Sequence, residues 1–128
     1  MMNLKSKTVL IADDDPAFLR LVSFSVAQLG VCVFTATDGL AALDTFSVLD
    51  PDLVILDIMM PGLGGWEVCR LIRERSSTPV LMISARQEPA DLAQSLDVGA
   101  TAHLSKPLPI GELVQQVQGL LGVVDPGL

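Results

Sequence analysis

The sequence predicts a single α/β domain built on a doubly wound, five-stranded parallel sheet. Three observations predict it. Strand and helix signals alternate five times along 128 residues, the pattern of consecutive βα units. The strand segments are nearly continuous apolar runs, as strands covered on both faces must be. Acidic, hydroxyl and ammonium side chains stand at the C-terminal ends of those runs, where open α/β sheets bind ligands.

The predicted strands are 8–12 (TVLIA), 31–36 (VCVFTA), 52–56 (DLVIL), 79–84 (PVLMIS) and 101–105 (TAHLS), the last being the least apolar. In the first helix Phe18, Leu21, Val22, Ser25 and Leu29 form a stripe, with Leu19 and Phe24 off it. Asp15 is placed to cap this helix with Pro16 as its first residue, and Gly30 to end it. A short second helix is expected over 39–48. The third, near 65–75, turns Val68, Leu71 and Ile72 inward. Its arginines, Arg70, Arg73 and Arg75, alternate with Glu67 and Glu74 as a solvated face. The fourth, near 89–98, offers Leu92 and Leu96 to the core and stops at Gly99. The fifth carries Ile110, Leu113, Val114, Val117, Leu120 and Leu121 at i, i+3, i+4, i+7 spacing. Right-handed crossovers place these helices on both faces of the sheet. The domain is expected to span 8–122, with 1–7 and 123–128 as flexible ends.

Half of the residues are hydrophobic and 18% are charged, a globular composition. A net charge of −7 argues against a nucleic-acid surface, which needs a cationic footprint. Cys32 and Cys69 lack metal-ligand spacing and read as buried free thiols of a reducing compartment. The opening MMNLKSK does not read as a signal peptide, and no apolar run reaches the ~20 residues of a membrane span. A cytoplasmic location is expected.

Asp13 and Asp14 directly follow the first strand, and Asp57 follows the third. If those strands are neighbours, as in the order 2-1-3-4-5, three carboxylates converge at the point where strand order reverses. Two unit charges 4 Å apart at an effective dielectric of 20 repel by about 4 kcal/mol. Such a cluster calls for a cation, and an all-oxygen donor set suits a hard one, Mg²⁺ above all. Asp15 is already explained by helix capping, and Asp57 could instead open the turn before Pro61-Gly62. Ser84 and Lys106 end the fourth strand and follow the fifth, on the same rim. A serine hydroxyl can donate to an oxyanion, and a lysine brings a compact positive charge.

The stretches VLIADDD, PDLVILDIMMPGLGGWEVCRLIR, PVLMISA and VGATAHLSKPL occur in the order and spacing of a known family. Over residues 8–122 the chain closely resembles the receiver domain of two-component response regulators. The resemblance implies the flavodoxin-like strand order 2-1-3-4-5. It implies that Asp57 accepts the phosphoryl group, that Asp14 binds Mg²⁺ directly and Asp13 through water, and that Asp57 and the Met59 backbone carbonyl complete the protein ligands. Ser84 matches the hydroxyl that follows the phosphoryl group, and Lys106 the lysine that pairs with it. Lys106-Pro107 resembles the family's cis peptide, Ala85 its small residue beside the phosphoryl group, and Met59 and Arg86 occupy positions that tune phosphorylation lifetime. The implied function is a phosphorelay switch. It takes a phosphoryl group from a sensor histidine kinase or histidine phosphotransfer protein and changes its distal face to control an effector. It is not an enzyme beyond assisting its own phosphorylation and dephosphorylation.

The chain departs from the family pattern at two places. Gly64 stands where receivers carry an acid, and His103, the single histidine, stands where they carry the aromatic switch residue. His103 is expected either as a structural edge-strand residue or as a modified switch residue moving into space vacated by Ser84. The fourth and fifth helices contain no Lys or Arg, so a homodimer would not rest on salt bridges between them. No effector module follows residue 122, so a stand-alone or excised receiver is expected, contacting neither nucleic acid nor membrane directly. Two alternatives remain: a pseudo-receiver that only binds protein, and a phosphohydrolase, disfavoured because Met59 stands where a second acid would be needed.

Overall fold

The structure, a computed structural model, describes residues 7–86 and 88–122. Five strands alternate with five helices: β1 Thr8–Ala12, α1 Pro16–Ala27, β2 Cys32–Ala36, α2 Gly39–Leu49, β3 Leu53–Asp57, α3 Gly65–Arg73, β4 Val80–Ser84, α4 Pro89–Asp97, β5 Ala102–Ser105 and α5 Ile110–Leu120. All neighbouring strands pair in parallel, in the order β2-β1-β3-β4-β5. The expected fold class is therefore the observed one. β1 lies between β2 and β3, so the crossover direction reverses there and leaves a crevice at the strands' C-terminal ends.

The two faces of the sheet carry separate cores because side chains alternate along each strand. Val9, Ile11, Ile55 and Ile83 pack against Leu19, Val22 and Val26 of α1 and Leu113 and Val117 of α5. Leu10, Val54, Leu56 and Met82 pack against Ala42 and Phe46 of α2 and Val68, Cys69 and Ile72 of α3. β1, β3 and β4 are apolar on both sides for this reason.

Several expectations need correction. β2 is an edge strand and is largely exposed, so Cys32 is exposed while Cys69 alone of the two cysteines is buried. The inward stripe of α1 is Leu19, Val22 and Val26, and Leu21 faces outward. α4 is turned the other way from its expected orientation. Leu92 and Leu96 are 45% and 53% exposed, whereas Asp91 and Ser95 are buried. Arg73 is no solvated arginine: its guanidinium reaches the carbonyls of Gly99 at 2.8 Å and Thr78 at 2.6 Å. Within the described residues no helix is long and apolar enough to cross a membrane. The expected flexible ends, residue 7 excepted, lie outside the described residues.

Candidate functional site

Three connections carry the site, and each begins where a buried strand stops. β1 ends at Ala12, whose apolar run delivers Asp13 into the crevice with 2% exposure, while Asp14 beside it is exposed. The Asp13 carboxylate accepts the Asp15 backbone N–H at 2.9 Å. Asp15 itself caps α1, accepting from Ala17 and Phe18, with Pro16 in the first turn. The acids thus divide their work. One is taken by the helix terminus, and the two before it face the crevice.

Asp57 is the last residue of β3 rather than the first after it, and is 6% exposed. One carboxylate oxygen accepts the Met59 N–H at 3.1 Å. Gly65 opens α3 directly against this backbone, since a Cβ there would overlap the Asp57 carbonyl. Asp13, Asp14 and Asp57 bring carboxylate oxygens within 4.8 Å of one another.

Lys106 follows β5 and reaches across the rim. Its ammonium donates to Asp13 Oδ2 at 2.9 Å and to Asp57 Oδ2 at 3.3 Å. It also lies 4.1 Å from the centroid of the Phe18 ring, a cation–π contact from the first turn of α1. Lys106-Pro107 is a cis peptide. Ser84 closes β4 fully buried, and its hydroxyl accepts the Arg86 N–H at 3.0 Å.

The electrostatics follow from this packing. Burial pushes the Asp57 carboxyl above its ordinary value. The Met59 N–H opposes that push, the Asp13 charge adds to it, and Lys106 again opposes. Burial draws Lys106 down, but its bond to Asp13 and the charges of Asp57 and Asp13 outweigh burial and raise it. One ammonium against three acids leaves net negative charge in the crevice. The donors are all oxygen, and beside Asp14 opens a cleft of about 480 Å³ bounded by Met59, Pro61, Gly64 and Glu67. This set suits a hard divalent cation that keeps coordination positions for water or phosphate.

The sequence brought Asp13, Asp14, Asp57 and Lys106 to one place, as the structure does. It missed Phe18 beneath Lys106, for which the only signal was an aromatic one turn after the Asp15 cap. It also missed a second polar group behind the site. There Trp66 Nε1 donates to Ser95 Oγ at 2.9 Å, and Ser95 Oγ lies 2.9 Å from His103 Nδ1. Arg86 pairs with Asp91 at 2.8 Å and sits over the Trp66 ring at 5.1 Å. His103 therefore points inward, toward α4. No spacing rule would have joined five residues from α3, α4, β5 and a loop.

Comparison with known proteins gives a consistent answer. The family model for the response regulator receiver domain matches residues 9–118. A probable transcriptional regulator of Cyanophora paradoxa is 36% identical over 120 residues, covering 94% of this chain and 50% of that protein. The DNA-binding response regulator MtrA of Mycolicibacterium smegmatis is 34% identical over 120 residues, covering 94% of this chain and 53% of that protein. The receiver domain of a Francisella response regulator superposes with a TM-score of 0.86 at 30% identity, over 91% of this chain and 98% of that one. The chain spans about half the length of the curated relatives it matches.

Proposed function

Because the chain belongs to the response regulator receiver domain family, a family of regulatory signalling domains, we propose that it is a phosphoacceptor switch with Asp57 as its nucleophile. The observation that supports this most directly is the rim itself. Three carboxylates lie within 4.8 Å, and one ammonium bonds two of them. Asp13, Asp14, Asp57 and the Met59 carbonyl would hold a magnesium ion. That ion would supply positive charge to the transferring phosphoryl group.

An Asp57 carboxylate oxygen attacks phosphorus in a phosphohistidine donor. The P–N bond breaks, and the imidazole leaves with its electron pair. Such transfer needs positioning and charge more than covalent help. Lys106, already at 3.3 Å from Asp57, shifts its donation from the carboxylates to the phosphoryl oxygens. Water later attacks phosphorus, the bond from phosphorus to the Asp57 oxygen breaks, and inorganic phosphate leaves the restored carboxylate. The phosphoryl group adds about −2 charge, which draws the Ser84 hydroxyl from the Arg86 N–H. His103 and α4 then carry the change to the distal face.

The domain is taken as residues 8–122. Its donor is a histidine kinase or histidine phosphotransfer protein in the cytoplasm. Relatives named as DNA-binding or transcriptional regulators point to gene control as the output, exerted outside this domain. Exposure to phosphoramidate and Mg²⁺, followed by intact-mass measurement, tests the assignment. Wild type gains one phosphoryl group, and Asp57→Asn gains none. Equal incorporation by both would overturn it.

A further inference from the structure

Behind the acidic rim the polar groups of α3, α4 and β5 form a closed circuit. The Trp66 indole can only donate, and it donates to Ser95 Oγ at 2.9 Å. Ser95 is fully buried and has a single proton of its own. With the indole hydrogen on its oxygen, that proton faces His103 Nδ1, also 2.9 Å away. Donation to Nδ1 leaves that nitrogen bare and places the ring proton on Nε2, whereas the other tautomer would turn the serine proton back to its own helix. The Arg86 backbone lies beside the imidazole and favours its charged form, against burial. Arg86 closes the circuit, stacking over Trp66, pairing with Asp91 and giving its own N–H to Ser84 Oγ at 3.0 Å.

We propose that Ser95 is a positioning residue of the switch: by accepting from Trp66 and donating to His103 it fixes the neutral Nε2–H imidazole and the indole on which Arg86 stacks, and so keeps the Arg86 N–H on Ser84. This rests on the reading of Asp57 as phosphoacceptor and Ser84 as the responding hydroxyl. The circuit stabilises the unphosphorylated arrangement, because Ser84 leaves the Arg86 N–H when it turns toward a phosphoryl group.

Proton uptake opens the circuit. An imidazolium presents Nδ1–H to Ser95, so the serine proton must turn away. Inside a helix its local alternative is the carbonyl four residues back, that of Asp91. The charged groups around the ring are Arg86 from the β4–α4 loop, Glu88 at the N-cap of α4 and Asp91 from α4, while β4 presents Met82 beside it. Asp91 is already paired with Arg86. Glu88 is left to draw the imidazolium outward, into the cleft the two share with Pro89, Leu92 and Ser105. Burial already disfavours the charged ring, so the neutral, locked form prevails near neutral pH.

Nitrogen NMR of the single imidazole, in the whole chain, tests the lock without any phosphoryl donor. Wild type should show a bare Nδ1 and a protonated Nε2. Ser95→Ala should mix the tautomers and, by removing the O–H bound to Nδ1, shift the His103 pKa upward while burial still acts on it, and Ser95→Thr, which keeps the hydroxyl, should restore both. Phosphorylation by phosphoramidate and Mg²⁺ supplies the second arm, read as the rate of Ser95→Ala over wild type. At about pH 8 the ratio should be several-fold above one, and at about pH 5 it should approach one, because protonated His103 has already opened the wild-type circuit. A protonated Nδ1 in wild type, an unmoved pKa in Ser95→Ala, or a rate ratio independent of pH would each overturn the proposal. Failure of wild type to phosphorylate would overturn the phosphoacceptor reading instead, and the tautomer would still decide for or against the lock.

Discussion

α3 and α4 cover the same side of the sheet, next to one another, yet opposite kinds of residue hold them there. α3 buries Val68, Cys69 and Ile72 and turns Glu67 and Arg70 to water. α4 buries Asp91 and Ser95 and turns Leu92 and Leu96 to water. The first is held by area removed from water, a non-directional force that tolerates small shifts. The second is held by hydrogen bonds and an ion pair that exist only at set distances. A helix of the second kind has discrete arrangements, and that is what a switch requires of the element beside its moving serine. α3, whose first residue abuts the Asp57 backbone, is built to stay.

Apolar truncation separates the two helices most sharply. Ile72 is fully buried, so Ile72→Ala should cost about 2–5 kcal/mol in chemical denaturation. Leu96→Ala should cost roughly 0.5 kcal/mol or less, as surface changes do. Equal losses would mean that α4 is as apolar in its attachment as α3.

Arg73 is where the two helices are tied together. From the last turn of α3 it bonds the Gly99 and Thr78 carbonyls and reaches Thr101 Oγ1 at 3.3 Å, gathering the loops before β4 and β5. Hydrogen bonds from a charged donor contribute about 1.5–3 kcal/mol, so Arg73→Ala should lose about that much. Arg73→Lys should recover only part of it, because a point charge cannot serve three acceptors in one plane. Full recovery would show that charge, not fork geometry, makes the tie.

The same contrast explains what the sequence allowed one to read. β1, β3 and β4, α3 and α5 announce themselves because their inward faces are apolar and their periodicities are those of strand or helix. The rim is legible because strand ends are legible: once β1 and β3 are neighbours, Asp13, Asp14 and Asp57 have to meet. α4 failed for the opposite reason. Leu92 and Leu96 make the apolar pair, but Ser95 and Asp91 gain Trp66, His103 and Arg86 as partners by facing inward. One residue is about 100° of helix rotation, so that choice turns the leucines to solvent. β2 was misread because apolar composition does not distinguish an edge strand from a central one.

Acid should loosen α4 and leave α3 alone. Burial lowers the His103 pKa below the ordinary 6.5, against the opposing pull of the Arg86 backbone and Asp91. In the window below 6.5 the opened state therefore binds more protons than the folded one. The stability that neutral His103 contributes is full above that window and is lost as pH falls through the folded pKa. Asp57 acts with the opposite sign, its raised pKa making folding easier in acid, so a global melt would blur the two. Hydrogen exchange corrected for intrinsic rates resolves them locally. Protection of α4 amides should fall between about pH 7 and pH 5, by less than the substitutions above, and that of α3 should hold. Parallel loss in both helices would show that they open as one unit.

The smallest effect concerns how the two helices begin. In α4 the Asp91 carboxylate turns back to accept the Glu88 N–H at 3.2 Å, and Pro89 starts the first turn. α3 has Gly64 at its N-cap, with no side chain to accept the N–H groups of its first turn. Gly64 has φ −74° and ψ 170°, an extended conformation open to any residue, so aspartate can be introduced there without backbone strain. Its carboxylate would reach the N–H of Trp66 or Glu67, and replacing an N-cap glycine by aspartate is worth only a few tenths of a kcal/mol. Two things reduce even that. The new Cβ would lie 3.0 Å from the Ile58 carbonyl oxygen, and the new charge would join Asp14 and Glu67 around one cleft. Gly64→Asp should therefore raise Tm by about 1 °C without a divalent cation. Mg²⁺ should enlarge the gain, since it would relieve the added repulsion along with that of Asp13, Asp14 and Asp57. A gain unchanged by Mg²⁺ would mean that the cap is electrostatically separate from the rim, and that α3 is anchored by its apolar face alone.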